Sequence, residues 1–309
     1  MNESIIDIGV NLMHPSFDKD REAVTAAAQA EGVSPLIITG TSVNGSRKAR
    51  EYAALHPGKL YATAGVHPHD VKTCDAATLP ALRELAAYDE VVAIGECGLD
   101  YNRDFSPRPV QREWFEKQAA LAVELGMPLF LHERDASEDF TAILRAVGAG
   151  GTLRTPHSGA MPRKFRGLTN MVVHCFTGTE AELERYLELG AYIGITGWIC
   201  DERRGQGLRS LVRRIPPDRL LIETDAPFLL PRDLEKIVAG EKRRSGRNEP
   251  RFLRHLARVI AQCQGKDEEQ LAEETRENTR RFFGIARAAY PATGVSFFRI
   301  SSRNGKIPW

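Results

Sequence analysis

Eight short apolar runs recur through the chain at the spacing of a strand plus a crossover helix, and no other feature restricts its fold as much. They are Ile5–Val10, Leu36–Thr39, Leu60–Val66, Val91–Ile94, Pro128–Leu131, Met171–Val173, Tyr192–Thr196 and Leu220–Ile222. Taken to their last strand-like positions they end at Val10, Gly40, His67, Glu96, His132, His174, Gly197 and Asp225, in steps of 30, 27, 29, 36, 42, 23 and 28 residues. Runs this short and apolar, flanked by turn residues, suit strands buried on both faces. Each step is the length of one βα unit. Between them, Phe140, Ile143, Leu144 and Val147 follow i, i+3, i+4, i+7, as do Leu208, Leu211, Val212 and Ile215. That is the spacing of an amphipathic helix. Further helices are expected around Arg21–Glu31, Leu79–Ala86, Gln111–Leu125 and Glu180–Leu189, three of them closed by Gly32, Gly126 and Gly190. Eight such units predict a closed (β/α)8 TIM barrel of the α/β class. An open doubly wound sheet would carry a phosphate-binding glycine fingerprint after its first strand, and Ile8-Gly9-Val10-Asn11 is not one.

The rhythm places one barrel over residues 1–284, with a tail at 285–309 and a glycine- and proline-rich surface insertion at 148–167. The insertion follows a helix and precedes a strand, so it belongs on the N-terminal rim, away from a barrel's chemistry. His157 within it is therefore not expected to be a ligand. A formal net charge of +1 excludes a global basic field, so any nucleic-acid contact must come from local clusters. No apolar stretch approaches a membrane span, and Met1-Asn2-Glu3-Ser4 does not open like a signal peptide. Five irregularly spaced cysteines suit free thiols in a reducing compartment. A cytoplasmic monomer without membrane contact is the expectation.

A barrel gathers its strand ends on one face. The side chains gathered here would be His67, Glu96, His132, His174 and Asp225, all of types that bind divalent metals. Each also has an ordinary reading. The histidines could be satisfied core residues, Glu96 could pair with Arg103 or Arg134, and Asp225 could cap the turn before Pro227. A buried carboxylate without a partner costs several kcal/mol, and a shared ion is the economical partner for the set. His69 competes with His67 for its place, and strand alternation decides for neither. Cys97 and Cys175, each next to a candidate ligand, are expected to point outward as small core residues.

The motifs GVHPHD (65–70), AIGECGLD (93–100), PLFLHERDA (128–136), HCFTGT (174–179), YIGITGW (192–198), LLIETDAPFLLPRD (220–233) and RNEP (247–250) resemble the TatD family of metal-dependent deoxyribonucleases. The resemblance covers most of residues 5–284 and implies a metal-dependent hydrolase barrel. It also implies that Glu96, His132 and His174 are metal ligands, that Asp225 is the acidic residue of the last strand, and that magnesium is the ion. The donor set itself would equally take manganese or zinc. One departure stands out. The wider family has Asp-x-His-x-His after the first strand, whereas Asp7-Ile8-Gly9-Val10-Asn11 has glycine and asparagine in the histidine places. One firm ion is expected, with a second recruited alongside substrate and bridged by Glu96.

The expected activity is a 3′→5′ exonuclease on single-stranded DNA, or RNA, using metal-activated water. Asp225 would take a proton from that water and also serve as a ligand, and His67 would donate to a phosphate oxygen. Arg203 and Arg204 after the seventh strand, and Lys242, Arg243, Arg244 and Arg247 after the eighth, would hold the backbone. Trp198, Tyr101 and Phe228 could stack on bases. The rivals are an amide, ester or lactone hydrolase on the same barrel, and a binding protein without activity.

Overall fold

The computed structural model describes residues 4–148, 170–203, 205–236 and 246–285. Eight strands run β1 Ile5–Val10, β2 Val33–Ile38, β3 Leu60–Ala64, β4 Val91–Asp100, β5 Leu129–Arg134, β6 Met171–Val173, β7 Tyr192–Ile195 and β8 Leu220–Ile222. They alternate with α1 Arg21–Ala30, α2 Val43–Ala54, α3 Thr78–Ala86, α4 Arg108–Leu125, α5 Ser137–Ala146, α6 Glu180–Glu188, α7 Gln206–Val212 and α8 Leu253–Gln264, and α9 Glu268–Phe283 follows. The strands pair in sequence order, and every pair in the order is parallel.

The ring closes between β1 and the residues just beyond β8. Val10 bridges Ala226, the Asp225 amide donates to the Gly9 carbonyl, and the Asn11 amide donates to the Ala226 carbonyl. Asp7 reinforces the seam from the side. Its Oδ1 accepts the amides of Gly9 and Thr224, and its Oδ2 meets the Thr224 hydroxyl at 2.5 Å. A carboxyl buried this completely is disfavoured as an anion, and burial pushes its pKa up to about 8.

The larger apolar cluster lies between strands and helices and includes Phe17, Phe115, Phe140 and Tyr186. A smaller one joins Ile8, Ile37, Ala93, Phe130, Val172 and Leu221 to the end of α9. There Phe282 meets the ring of Tyr192 at 5.2 Å, and Asn278 donates to the Leu220 carbonyl. Tyr192 and Leu220 begin their strands, so α9 covers the N-terminal end of the ring and leaves the C-terminal end for chemistry. Among the described residues no helix is long and apolar enough to cross a membrane.

Two features differ from the sequence expectation. β4 does not stop at Glu96 but runs on to Asp100. Gly95 and Gly98 permit this at φ 138° and 145°, where a Cβ would overlap the carbonyls of Phe130 and His132. The helix α2 also lacks a readable apolar stripe, because it buries only Ser46, Ala49 and Ala53. Apart from Gly148 and Ile285, the insertion and the tail lie outside the described residues.

Candidate metal centre

At the C-terminal mouth, one oxygen of Glu96 collects three imidazoles. Its Oε1 lies 3.2 Å from His67 Nε2, 3.0 Å from His132 Nδ1 and 2.7 Å from His174 Nε2. Glu96 is 5% exposed. Burial alone would raise its pKa, but the imidazoles, His174 and His67 first, outweigh burial and hold it well below the usual carboxylate range. The structure brings together His67, Glu96, His132 and His174, which the sequence grouped, and Asp225 lines the same cavity of about 480 Å³.

The three imidazoles are held differently. His132 turns its far nitrogen, Nε2, to Asp100 Oδ2 at 3.3 Å, and His174 turns Nδ1 to Glu223 Oε2 at 3.5 Å. A carboxylate behind an imidazole fixes the proton on that far side and frees the near nitrogen for a metal. His67 is held the opposite way. Its Nδ1 accepts the amide of His69 at 3.1 Å, so the proton of the neutral ring sits on Nε2, facing Glu96. Burial lowers the pKa of His67. For His132 and His174 burial acts in the same sense, but Asp100 and Glu96 at His132, and Glu96 and Glu223 at His174, outweigh it and raise both. The geometry therefore separates two nitrogens ready to ligate from one N–H ready to donate. His69 reaches Asp100 instead of Glu96, at 2.7 Å, which resolves the competition in favour of His67.

Asp225 sits at φ 53° with its Oδ1 accepting from Asn11 Nδ2 at 2.9 Å. Burial first, and then the carboxylates of Glu96 and Glu223 against the pull of His174, push its pKa up to about 7. A carboxyl so placed can exchange a proton near neutrality. The first-strand positions that lack histidine have local work of their own. Asn11 holds Asp225, and Gly9 leaves the space that Glu223 fills, since a Cβ there would overlap Glu223 Oε2.

A divalent ion fits this donor set. Carboxylate oxygen and imidazole nitrogen converge on one point, with Glu96 Oε1 at 3.0 Å from His132 Nδ1 and 2.7 Å from His174 Nε2. His132 Nδ1 and His174 Nε2, the nitrogens an ion would take, both lie within hydrogen-bond distance of Glu96 Oε1.

Glu223, Asp100 and Asp7 escaped the sequence reading. The pair of acids in LLIETD is the available signal, and the sequence expectation covers only Asp225 of the two. Several other expectations change. Cys97 is buried in the outer core as expected, but Cys175 is not a core residue. It lines the cavity at φ 48°, with its amide donated to Glu223 Oε1 at 2.6 Å. Arg247 is not a free backbone contact, because Asp20 and Glu249 bind its guanidinium at 2.8 Å each and Phe17 lies beneath it. Tyr101 is not free to stack, since Arg108 covers its ring and Asp139 takes its hydroxyl. Arg203 is exposed on the loop after β7, and Arg204, Lys242, Arg243 and Arg244 lie outside the described residues. The ordinary alternative for Glu96, a pair with Arg134, is not the one the structure makes. Arg134 stands exposed at the end of β5 in a second cavity of about 680 Å³. That cavity meets the first at His132, His174 and Cys175, and Trp198 is among its lining residues.

A sequence model for TatD related DNase matches residues 6–284. The chain is 47% identical over 282 residues to the 3′-5′ ssDNA/RNA exonuclease TatD of Rahnella sp. (strain Y9602), covering 91% of this chain and 99% of that one. It is 48% identical to the protein of the same name from Enterobacter lignolyticus (strain SCF1), covering 91% and 100%. Among solved structures, a hydrolase TatD family protein from Entamoeba histolytica superposes with a TM-score of 0.77 at 25% identity, covering 93% of this chain and 100% of that chain.

Proposed function

The chain belongs to the TatD-related DNase family, and from that premise we propose that it is a metal-dependent phosphodiesterase removing nucleotides from the 3′ end of single-stranded DNA or RNA. The relatives that carry this activity in their names match nearly their whole length, which supports transferring the substrate class. The observation that carries the site is the pair of carboxylate-backed imidazoles, Asp100 behind His132 and Glu223 behind His174, both turned onto Glu96.

In this reading Glu96, His132 and His174 hold the ion, with Asp225 beside them, and magnesium is the ion expected. A divalent ion held by these residues would lower the pKa of a bound water and polarise the phosphate. Asp225, with its pKa near 7, receives a proton from the attacking water. His67 donates its Nε2 proton toward a non-bridging oxygen, the role its tautomer favours over ligation. Arg134 contacts backbone phosphate in the second cavity, and Phe228 and Trp198 offer faces to unpaired bases. The junction of the two cavities at His132 and His174 suits a strand that lies in both.

A single-stranded oligonucleotide labelled at its 5′ end should shorten one nucleotide at a time with magnesium, and less or not at all in a duplex. Glu96→Gln should lose at least about 100-fold of that activity. Full activity in Glu96→Gln, or internal cutting without stepwise products, would overturn the proposal.

A further inference from the structure

A second cluster of ligand-type side chains lies outside the catalytic cavity. Cys200 ends the 3-10 turn Gly197–Cys200 after β7, Asp233 lies in the 3-10 turn Arg232–Lys236 after β8, and His255 sits in the first turn of α8. One donor atom from each residue lies within 4.8 Å of the other two. His255 Nε2 is 2.8 Å from Asp233 Oδ1. Cys200 is completely buried, and the side chains of Asp233 and His255 keep only 21% and 11% of their surface.

Taken apart, these are a core thiol and a partly buried ion pair. Taken together they bring a soft donor, an imidazole and a carboxylate to one point from three separate segments. Burial first and then the neighbouring Asp233 carboxylate keep the thiol protonated in the absence of a cation. A dication shared by one thiolate, one carboxylate and one neutral imidazole has zero net charge, the state that burial penalises least. Metal–nitrogen bonds of about 2.0 Å and metal–sulfur bonds of about 2.3 Å at a tetrahedral centre set donors roughly 3 to 4 Å apart. The donors lie near that range, with His255 Nε2 and Asp233 Oδ1 at 2.8 Å and all three within 4.8 Å of one another.

We propose that Cys200, Asp233 and His255 bind a zinc ion at a structural site separate from the catalytic centre, tying the loops after β7 and β8 to α8. The thiolate and imidazole select zinc over magnesium, and solvent completes the tetrahedron through the exposed edges of Asp233 and His255. Trp198 stands two residues before Cys200 on the same turn, so the ion would fix one wall of the second cavity.

Cobalt replacing zinc in the full-length protein tests this directly, because a thiolate ligand gives cobalt a charge-transfer band in the near ultraviolet. The wild-type chain should show the band, Glu96→Gln and Cys175→Ser should retain it, and Cys200→Ser should lose it. Zinc content measured in the Glu96→Gln background should be one equivalent per chain, falling to none when Cys200→Ser or His255→Ala is added. A wild-type protein without the band needs no variant to interpret and would overturn the proposal. So would a band, or a zinc equivalent, that survives Cys200→Ser.

Discussion

Oε2 of Glu223 lies 3.5 Å from Nδ1 of His174, and among the described residues neither buried atom has a hydrogen-bond partner. Gly9 and Gly194 leave the room that the carboxylate occupies, since a Cβ at either would crowd it.

Glu223→Gln therefore tests what the contact does. The amide keeps the volume and can still accept the Cys175 amide through its oxygen, but it presents N–H to His174 Nδ1. The imidazole proton then moves to Nε2, the nitrogen facing Glu96. Metal affinity should fall about 10- to 100-fold, with activity recovering as the ion concentration is raised. An unchanged metal dependence would leave Glu223 as a support for the Cys175 amide alone.

Asp7 makes the stability of the barrel depend on pH. Its pKa is raised by burial from about 3.9 in an unfolded chain to about 8 in the fold. The folded state then binds the extra proton between those values. Stability from this group is present at low pH and is lost as pH rises toward 8, by up to about 1.4 kcal/mol per unit. Asp7→Asn mimics the protonated form, accepting through Oδ1 and meeting the Thr224 hydroxyl with its amide. Urea unfolding at pH 6 and pH 8 should show the variant gaining on the wild type as pH rises. Parallel pH profiles would place the titration elsewhere.

Two arginines of the mouth should separate under salt. Arg134 is exposed in the second cavity, so Arg134→Ala should weaken binding of single-stranded DNA about 3- to 10-fold and lower the salt slope by about 0.7, one phosphate contact. Arg247 is consumed by Asp20 and Glu249, so Arg247→Ala should lower the melting temperature by several degrees. Its salt slope should match the wild type. Equal slopes for Arg134→Ala and the wild type would remove Arg134 from the binding surface.

The contrast between these arginines shows where sequence stops being legible. Strand ends are read from local pattern, so the sequence alone groups Glu96, His132, His174 and Asp225. Arg247 could not be excluded, because Glu249 two residues on is only one of its partners and the other, Asp20, is 227 residues away with nothing local to name it. Alternation also fails where strands end. β6 stops at Val173, and the positive φ of Cys175 turns it into the cavity against the outward direction that a continued strand would give it. Glu223 was hidden for the opposite reason. It follows an apolar run directly and reads as that run's continuation, yet it is the counterpart of Gly9 across the seam.

Phe228 offers the last test of how substrate is held. It is 49% exposed at the rim of the catalytic cavity, with its ring edge-on to His14 at 5.4 Å. An exposed aromatic in such a place is held by one neighbour and has a face free for a base. Stacking contributes about 1–3 kcal/mol per base, so Phe228→Ala should raise KM on single-stranded oligonucleotides about 5- to 100-fold. The chemistry lies with Glu96, His132, His174 and Asp225, so kcat should stay within about threefold of wild type. Phe228→Tyr keeps the ring and should restore KM. A loss of kcat with KM unchanged would mean that Phe228 shapes the loop carrying Asp225 and does not stack on the substrate.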